Sequence, residues 1–210
     1  MANIEIIGIP QSNFVWVVRM VCEEKGVPYA LTPARPHSPE VDAIHPFGKV
    51  PAMRHGDVTL CESKAIATYI DRTFDGPKVI PEDARGAAET EKWVSLINTQ
   101  IDPIMVRKYL LNYFFPKTAD GKPDRPAIDA ALPDMQDQIN ILDGAVSGGH
   151  LAGNRFTLAD IDLLPILYYI QKFAVGEAMV KSAKNLAAYF AKHAQRPCYQ
   201  ATIPPPVPSR

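Results

Sequence analysis

The sequence predicts two domains, an α/β domain at the front and an all-helical one behind it. Three observations carry that reading. Strand-like and helix-like patterns alternate as far as Gly76, and only helical periodicity follows. Between the two regions stand Asp75-Gly76-Pro77 and the stretch Pro81 to Gly86, a run of turn and breaker residues. The expected division is therefore 1–76, a linker at 77–86, and a helical domain over 87–210.

In the front domain, Ile4 to Ile9 is a short apolar, β-branched run ended by Pro10. From Ser12 the period changes: Phe14, Val18, Val21 and Cys22 share one helical face, and Gly26 stops the helix. Tyr29 to Thr32 reads as a second strand, and the proline- and histidine-rich stretch Pro33 to Gly48 as irregular. Val50 to Met53 and Val58 to Leu60 form a hairpin around His55-Gly56-Asp57. Glu62 then opens a helix with the stripe Ile66, Tyr69, Ile70, Thr73. This β-α-β, loop, β-β-α order is the thioredoxin-like pattern.

Behind the linker, Trp93, Leu96, Ile97, Ile101 and Ile104 make one helical stripe, which Pro103 is expected to kink. Ile128, Leu132, Met135, Ile139 and Leu142 make a second, ending at Gly144. Phe156 to Ile170 and a segment around Leu186, Tyr189 and Phe190 are further helices. Thr157 and Asp160 read as a capping box, with Phe156 and Ile161 in staple positions. That motif is structural.

Composition narrows the function classes. The 210 residues are 47% hydrophobic and 21% charged, which fits a soluble globular protein. A net charge of -1 supplies no basic face for nucleic acid. No apolar run is long enough to cross a bilayer, and with three residues before the first strand no signal or transit peptide is expected. Cys22, Cys61 and Cys198 are odd in number and far apart, which disfavours disulfides, zinc and dithiol chemistry. Reduced thiols in the cytoplasm are expected. The five histidines show no metal-ligand spacing, so no metal is expected. The proline-rich tail, Pro204 to Pro208, reads as a loose terminus.

Four stretches taken together carry a resemblance. Gly8-Ile9-Pro10-Gln11-Ser12 with Arg19, Pro46 to Ala52, Glu62 to Ile66, and Leu151-Ala152-Gly153 with Phe156 to Asp160 resemble successive blocks of the glutathione transferases. The serine-type, phi- and theta-like classes are the most similar. Lys49 stands where the plant phi class often has glutamine, a replacement familiar in bacterial relatives. Trp16 and Arg19 also resemble the zeta class, but its Ser-Ser-Cys is replaced here by Ser12-Asn13-Phe14, which counts against isomerisation. Cysteine-type classes are disfavoured for the same reason, and tyrosine-type classes because no tyrosine precedes Tyr29.

The resemblance implies a co-substrate, glutathione, and a role for each matched residue. Ser12, at a helix mouth, would donate its hydroxyl to the glutathione sulfur, because the thiolate is the nucleophile and a free thiol near pKa 8.5 is mostly protonated. A cis Val50-Pro51 bond would present the Val50 backbone to the cysteinyl residue. Ser63 would take the γ-glutamyl carboxylate and Glu62 the ammonium. Lys49, and His37 from its loop, are candidates for the glycyl carboxylate. Phe14, Tyr109 and Tyr113 are candidate walls of the electrophile pocket. The family's habit also implies a homodimer. The implied activity is conjugation of glutathione to small hydrophobic electrophiles, with peroxide reduction as a second use of the thiolate. The alternative is a non-catalytic binding module on the same fold.

Overall fold

The computed structural model describes residues 3–206. Contacts divide them into two units: one runs to Glu82 and resumes at Ala194, and the other is Asp83–His193. The sequence reading placed all of 87–210 in the helical domain; residues 194–206 belong instead to the first unit.

That first unit is built on a four-stranded mixed sheet in the order β2-β1-β3-β4, with β1 Ile4–Ile7, β2 Tyr29–Thr32, β3 Ala52–His55 and β4 Val58–Cys61. β1 runs parallel to β2, while β3 is antiparallel to both β1 and β4. β1 ends two residues earlier than its apolar run suggests. A Cβ at Gly8 would lie 2.6 Å from Val15 Cγ2 and 3.0 Å from Val50 Cβ, so the backbone passes there too closely for a side chain. β3 begins only after Pro51, which has no N–H to give to a ladder.

Helix α1, Asn13–Lys25, starts at the Ser12 cap and ends at Gly26 in the left-handed conformation, φ 69°. Helix α3 covers Ser63–Thr73. The stretch expected to be irregular contains a short helix, α2 Pro39–Asp42, whose signal was the Ser38 cap with proline at the first helical position. Asp71 and Lys25 fasten the start of the linker. Their buried pair lies at 3.2 Å, and the Asp71 carboxylate also accepts the N–H groups of Val79 and Ile80 at 2.9 and 3.3 Å. A buried pair with its spare lone pairs filled in this way tolerates its desolvation. Helix α10, Pro197–Thr202, packs on α1: Trp16 Nε1 donates to Thr202 Oγ1 at 2.8 Å, and the Trp16 and Tyr199 rings lie 5.2 Å apart. Of the tail expected to be loose, Pro205 and Pro206 have their carbonyls 3.4 Å from Gln11 Nε2, while Val207 and Pro208 lie outside the described residues.

The second unit is helical. α4 Ala84–Leu96 continues as a π-helical segment, Ile97–Leu110, and then α5 Leu111–Phe114. Pro103, where a kink was expected, lies inside this wider winding; proline cannot donate to the preceding turn and its ring crowds the carbonyl there. α6 Arg125–Ala145 buries Ile128, Met135, Ile139 and Leu142 of its predicted stripe, with Leu132 only half-buried. α7 Leu158–Ile170 is buried on nearly every side, its aspartates Asp160 and Asp162 included, and lies in the core of the unit. α8 Ala174–Ser182 and α9 Lys184–His193 cover it. Among the described residues, no helix is long and apolar enough to cross a membrane.

Candidate functional site

The strand register gathers the site. Ile7 pairs with Ala52 and Ala52 with Cys61, so the residues just beyond these pairs share one end of the sheet. They are Gly8 leading to Ser12, Pro51 with Val50 before it, and Glu62-Ser63. β2 is parallel to β1, so the loop after it, which carries His37, leaves from the same end. The helices α1 and α3 both begin at this end. The positive dipole ends of both helices favour an anion there.

Ser12 is half-buried, and its Oγ accepts the Val15 N–H at a long 3.4 Å. In that bond the hydroxyl is an acceptor, so its own proton stays available to a ligand. Val50 lies beyond the paired residues of β3, next to the Gly8 backbone, and the Val50–Pro51 bond is cis. Ser63 is buried at the first turn of α3. Glu62 caps that helix with φ 69°, a conformation that strains a non-glycine residue. Its side chain makes no capping bond and is 71% exposed. Lys49 is exposed. The exposed His37, also at positive φ, donates its N–H to the Gly48 carbonyl at 2.8 Å and holds Nδ1 3.6 Å from Asp42 Oδ1. His37 thus already has an anionic neighbour, which makes Lys49 the better candidate for a carboxylate.

Of the three candidate pocket walls, Phe14 belongs to the first unit, while Tyr109 and Tyr113 meet edge-on in the second with centroids 5.2 Å apart. Phe14 is half-buried on the first turn of α1 in the first unit. Tyr109 is 0% exposed in the core of the second unit, where its hydroxyl accepts the Gly176 N–H at 3.1 Å and burial raises its phenol. As a wall of an open pocket it is a misplacement: aromatic spacing on a helix does not distinguish core from cavity. Tyr113 is half-buried; its ring stacks on Phe173 at 3.8 Å and its hydroxyl accepts from Arg125 at 2.9 Å.

Other titratable groups serve the fold. Burial pushes the Cys22 thiol up to about 12, so it is inert as a nucleophile. Burial and the nearby Asp102 carboxylate push Asp162 in α7 up to about 8. His150, Asp160 and His193, far apart in sequence, bring their ligand atoms within 4.8 Å of one another. Yet the two Asp160 oxygens accept the N–H groups of Leu151 and Thr157 at 2.8 Å each, the Tyr189 hydroxyl at 2.9 Å and the Thr157 hydroxyl at 3.3 Å. The Lys192 ammonium lies 3.4 Å from His150 Nε2. The Asp160 lone pairs are in use, and its bond from Tyr189 ties the capping box to α9. Phe156, placed in a staple position, stacks on His193 with centroids 5.1 Å apart.

His45 was not singled out among the site residues by sequence reasoning. It is buried, and its Nε2 lies 3.4 Å from Glu62 Oε1. Seventeen positions separate the two, and no local pattern connects them.

Comparison with known proteins shows the family. The family model described as glutathione S-transferase, N-terminal domain, matches residues 6–78, and that of the C-terminal domain matches residues 89–197. Glutathione S-transferase 3 of Zea mays is 30% identical over 100% of this chain and 99% of its own length. Glutathione S-transferase 1 of Triticum aestivum is 27% identical over 80% of each chain. Among solved structures, glutathione transferase F7 from Populus trichocarpa superposes with a TM-score of 0.86 and 25% identity, covering 95% of this chain and 97% of that one. With both halves matched in order and a full-length relative at that identity, the chain belongs to the glutathione S-transferase family.

Proposed function

We propose that the protein is a serine-type, phi- or theta-like glutathione transferase that conjugates glutathione to small hydrophobic electrophiles. One observation carries the reading: the Ser12 hydroxyl sits at the start of α1 with its proton uncommitted, at the same sheet end as Val50 and Ser63. Glutathione would lie extended across that end. The Val50 backbone would pair with its cysteinyl residue, and Ser63 with the N–H groups of α3 would take the γ-glutamyl carboxylate. Glu62 would take the ammonium and Lys49 the glycyl carboxylate. Ser12 would then donate to the sulfur and stabilise the thiolate without forming a covalent bond. Phe14 and Tyr113 are the remaining candidates for the electrophile wall. The bacterial affinity rests on Lys49 alone. A cytoplasmic setting suits a reaction that consumes reduced glutathione.

Glu62→Ala is expected to weaken glutathione binding by about 1.5 kcal/mol, roughly tenfold. That is the low end for a charged hydrogen bond, because the carboxylate is largely solvated. Isothermal calorimetry measures it, and an unchanged affinity would mean the ammonium binds elsewhere. Assay of glutathione with a panel of electrophiles and hydroperoxides decides which of the two thiolate uses operates.

We also infer a homodimer, the commonest symmetric assembly. Light scattering at micromolar concentration should then give about twice the chain mass of 23.1 kDa. A mass that stays at the single-chain value across that range contradicts it.

A further inference from the structure

His45 is a buried imidazole set against an exposed carboxylate. Its side chain is 3% exposed, whereas that of Glu62 is 71% exposed. The loop around His45 is fixed by its own backbone: the His45 N–H donates to the Val41 carbonyl at 2.7 Å, and its carbonyl accepts the Gly48 N–H at 2.9 Å. The ring meets Phe47 edge-on, with centroids 6.3 Å apart at 67°. Its Nδ1 accepts the Phe47 N–H at 3.1 Å, which places the proton of the neutral ring on Nε2. That nitrogen lies 3.4 Å from Glu62 Oε1, an electrostatic contact at the outer edge of hydrogen-bond reach.

We infer that His45 is a positioning residue for ligand recognition, holding the Glu62 carboxylate in the rotamer that meets the γ-glutamyl ammonium of glutathione. The inference rests on the glutathione reading above. A glutamate on the solvent side of a helix start has several rotamers, and a ligand that needs one of them must order it on binding. Docking one oxygen on a buried ring removes part of that cost beforehand. His45 acts through Glu62 and touches no reacting atom, so it should govern glutathione affinity and not the sulfur chemistry.

The opposing account is that His45 merely fills the interior of its loop. His45→Leu, His45→Gln, Glu62→Ala and the double variant Glu62→Ala/His45→Leu separate the two accounts. Each is titrated calorimetrically with glutathione and with an analogue lacking the γ-glutamyl amine. His45→Leu should weaken glutathione roughly two- to fivefold, the scale of a solvated polar pair. The amine-free analogue should bind it as it binds the wild type, and turnover at saturating glutathione should hold. His45→Gln, which restores a donor near the Nε2 position, should recover most of the loss. On the Glu62→Ala background, His45→Leu should add nothing. Equal weakening of glutathione and the analogue would overturn the inference in favour of a loop role. Glu62→Ala weakened while His45→Leu binds normally would overturn it alone. A Glu62→Ala protein that binds glutathione normally would overturn the parent reading together with it.

Discussion

Asp160→Ala is expected to cost on the order of 3–5 kcal/mol of stability, lowering the melting temperature by roughly 10 °C or more. The carboxylate is 0% exposed and receives four donors: two backbone N–H groups, a phenol and a hydroxyl. Removing it leaves the N–H groups of Leu151 and Thr157 and the Tyr189 hydroxyl without an acceptor. Each such buried donor costs about 1–3 kcal/mol, and the three share one cavity, so the sum is less than additive. Thr157→Ala removes one cap and should cost only about 1 kcal/mol. The capping motif alone suggested about 0.5–2 kcal/mol for either residue; the structure separates the two, because Asp160 also ties the Leu151 turn and α9 to the start of α7. Urea unfolding of both variants beside the wild type is the measurement. An Asp160→Ala midpoint no lower than that of Thr157→Ala would show that the extra bonds contribute nothing. Activity per folded molecule should survive in Thr157→Ala.

That contrast marks where the sequence was legible. Local chemistry could be read directly. Ser12 and Gly26 bound α1 because a hydroxyl cap and a left-handed glycine act on their immediate neighbours. β2 and the hairpin turn were readable for the same reason. The short helix α2 was missed because Ser38-Pro39-Glu40, a sound helix start, lay among prolines that read as loop. The π-helical winding around Pro103 was out of reach, since proline in a helix signals disturbance but not its form. Partnerships between distant residues were also out of reach. Nothing near Trp16 points to Thr202, so α10 was assigned to the wrong unit. Tyr109 and Tyr113 look alike in sequence, yet one is sealed in the core by Gly176 and the other is half-buried. The candidate site was legible through its motifs, and its convergence became visible only with the strand register. Glu62 belonged to one of those motifs, but its partner His45 did not.

Ser12→Ala is expected to raise the pKa of bound glutathione by about 1–2 units, towards the free value of about 8.5. Each unit is about 1.4 kcal/mol, so at a pH below both values the thiolate fraction falls about tenfold per unit. Turnover at pH 6.5 should drop roughly 10- to 100-fold, and the pH–rate profile should shift upward by the same 1–2 units. The sign follows from linkage: a hydroxyl that donates to the anion stabilises the deprotonated form, and its loss returns the thiol to its ordinary acidity. The dipole of α1 is untouched, so part of the depression should persist. Glutathione affinity should change little, because the contacts proposed for Val50, Glu62, Ser63 and Lys49 remain. The variant also loses a helix cap, but that cap is a long bond of 3.4 Å and its loss should cost about 1 kcal/mol or less. Ser12→Thr keeps the hydroxyl and should retain most of the depression. Thiolate absorbance against pH in the binary complexes reads the shift directly, with thermal melts confirming that each variant is folded. Coincident titration curves and rates for wild type and Ser12→Ala would reduce Ser12 to a helix cap. The thiolate donor would then be the Asn13 side chain or a backbone N–H of the first turn of α1. If no thiolate forms even in the wild-type complex, the fold serves here as a binding module.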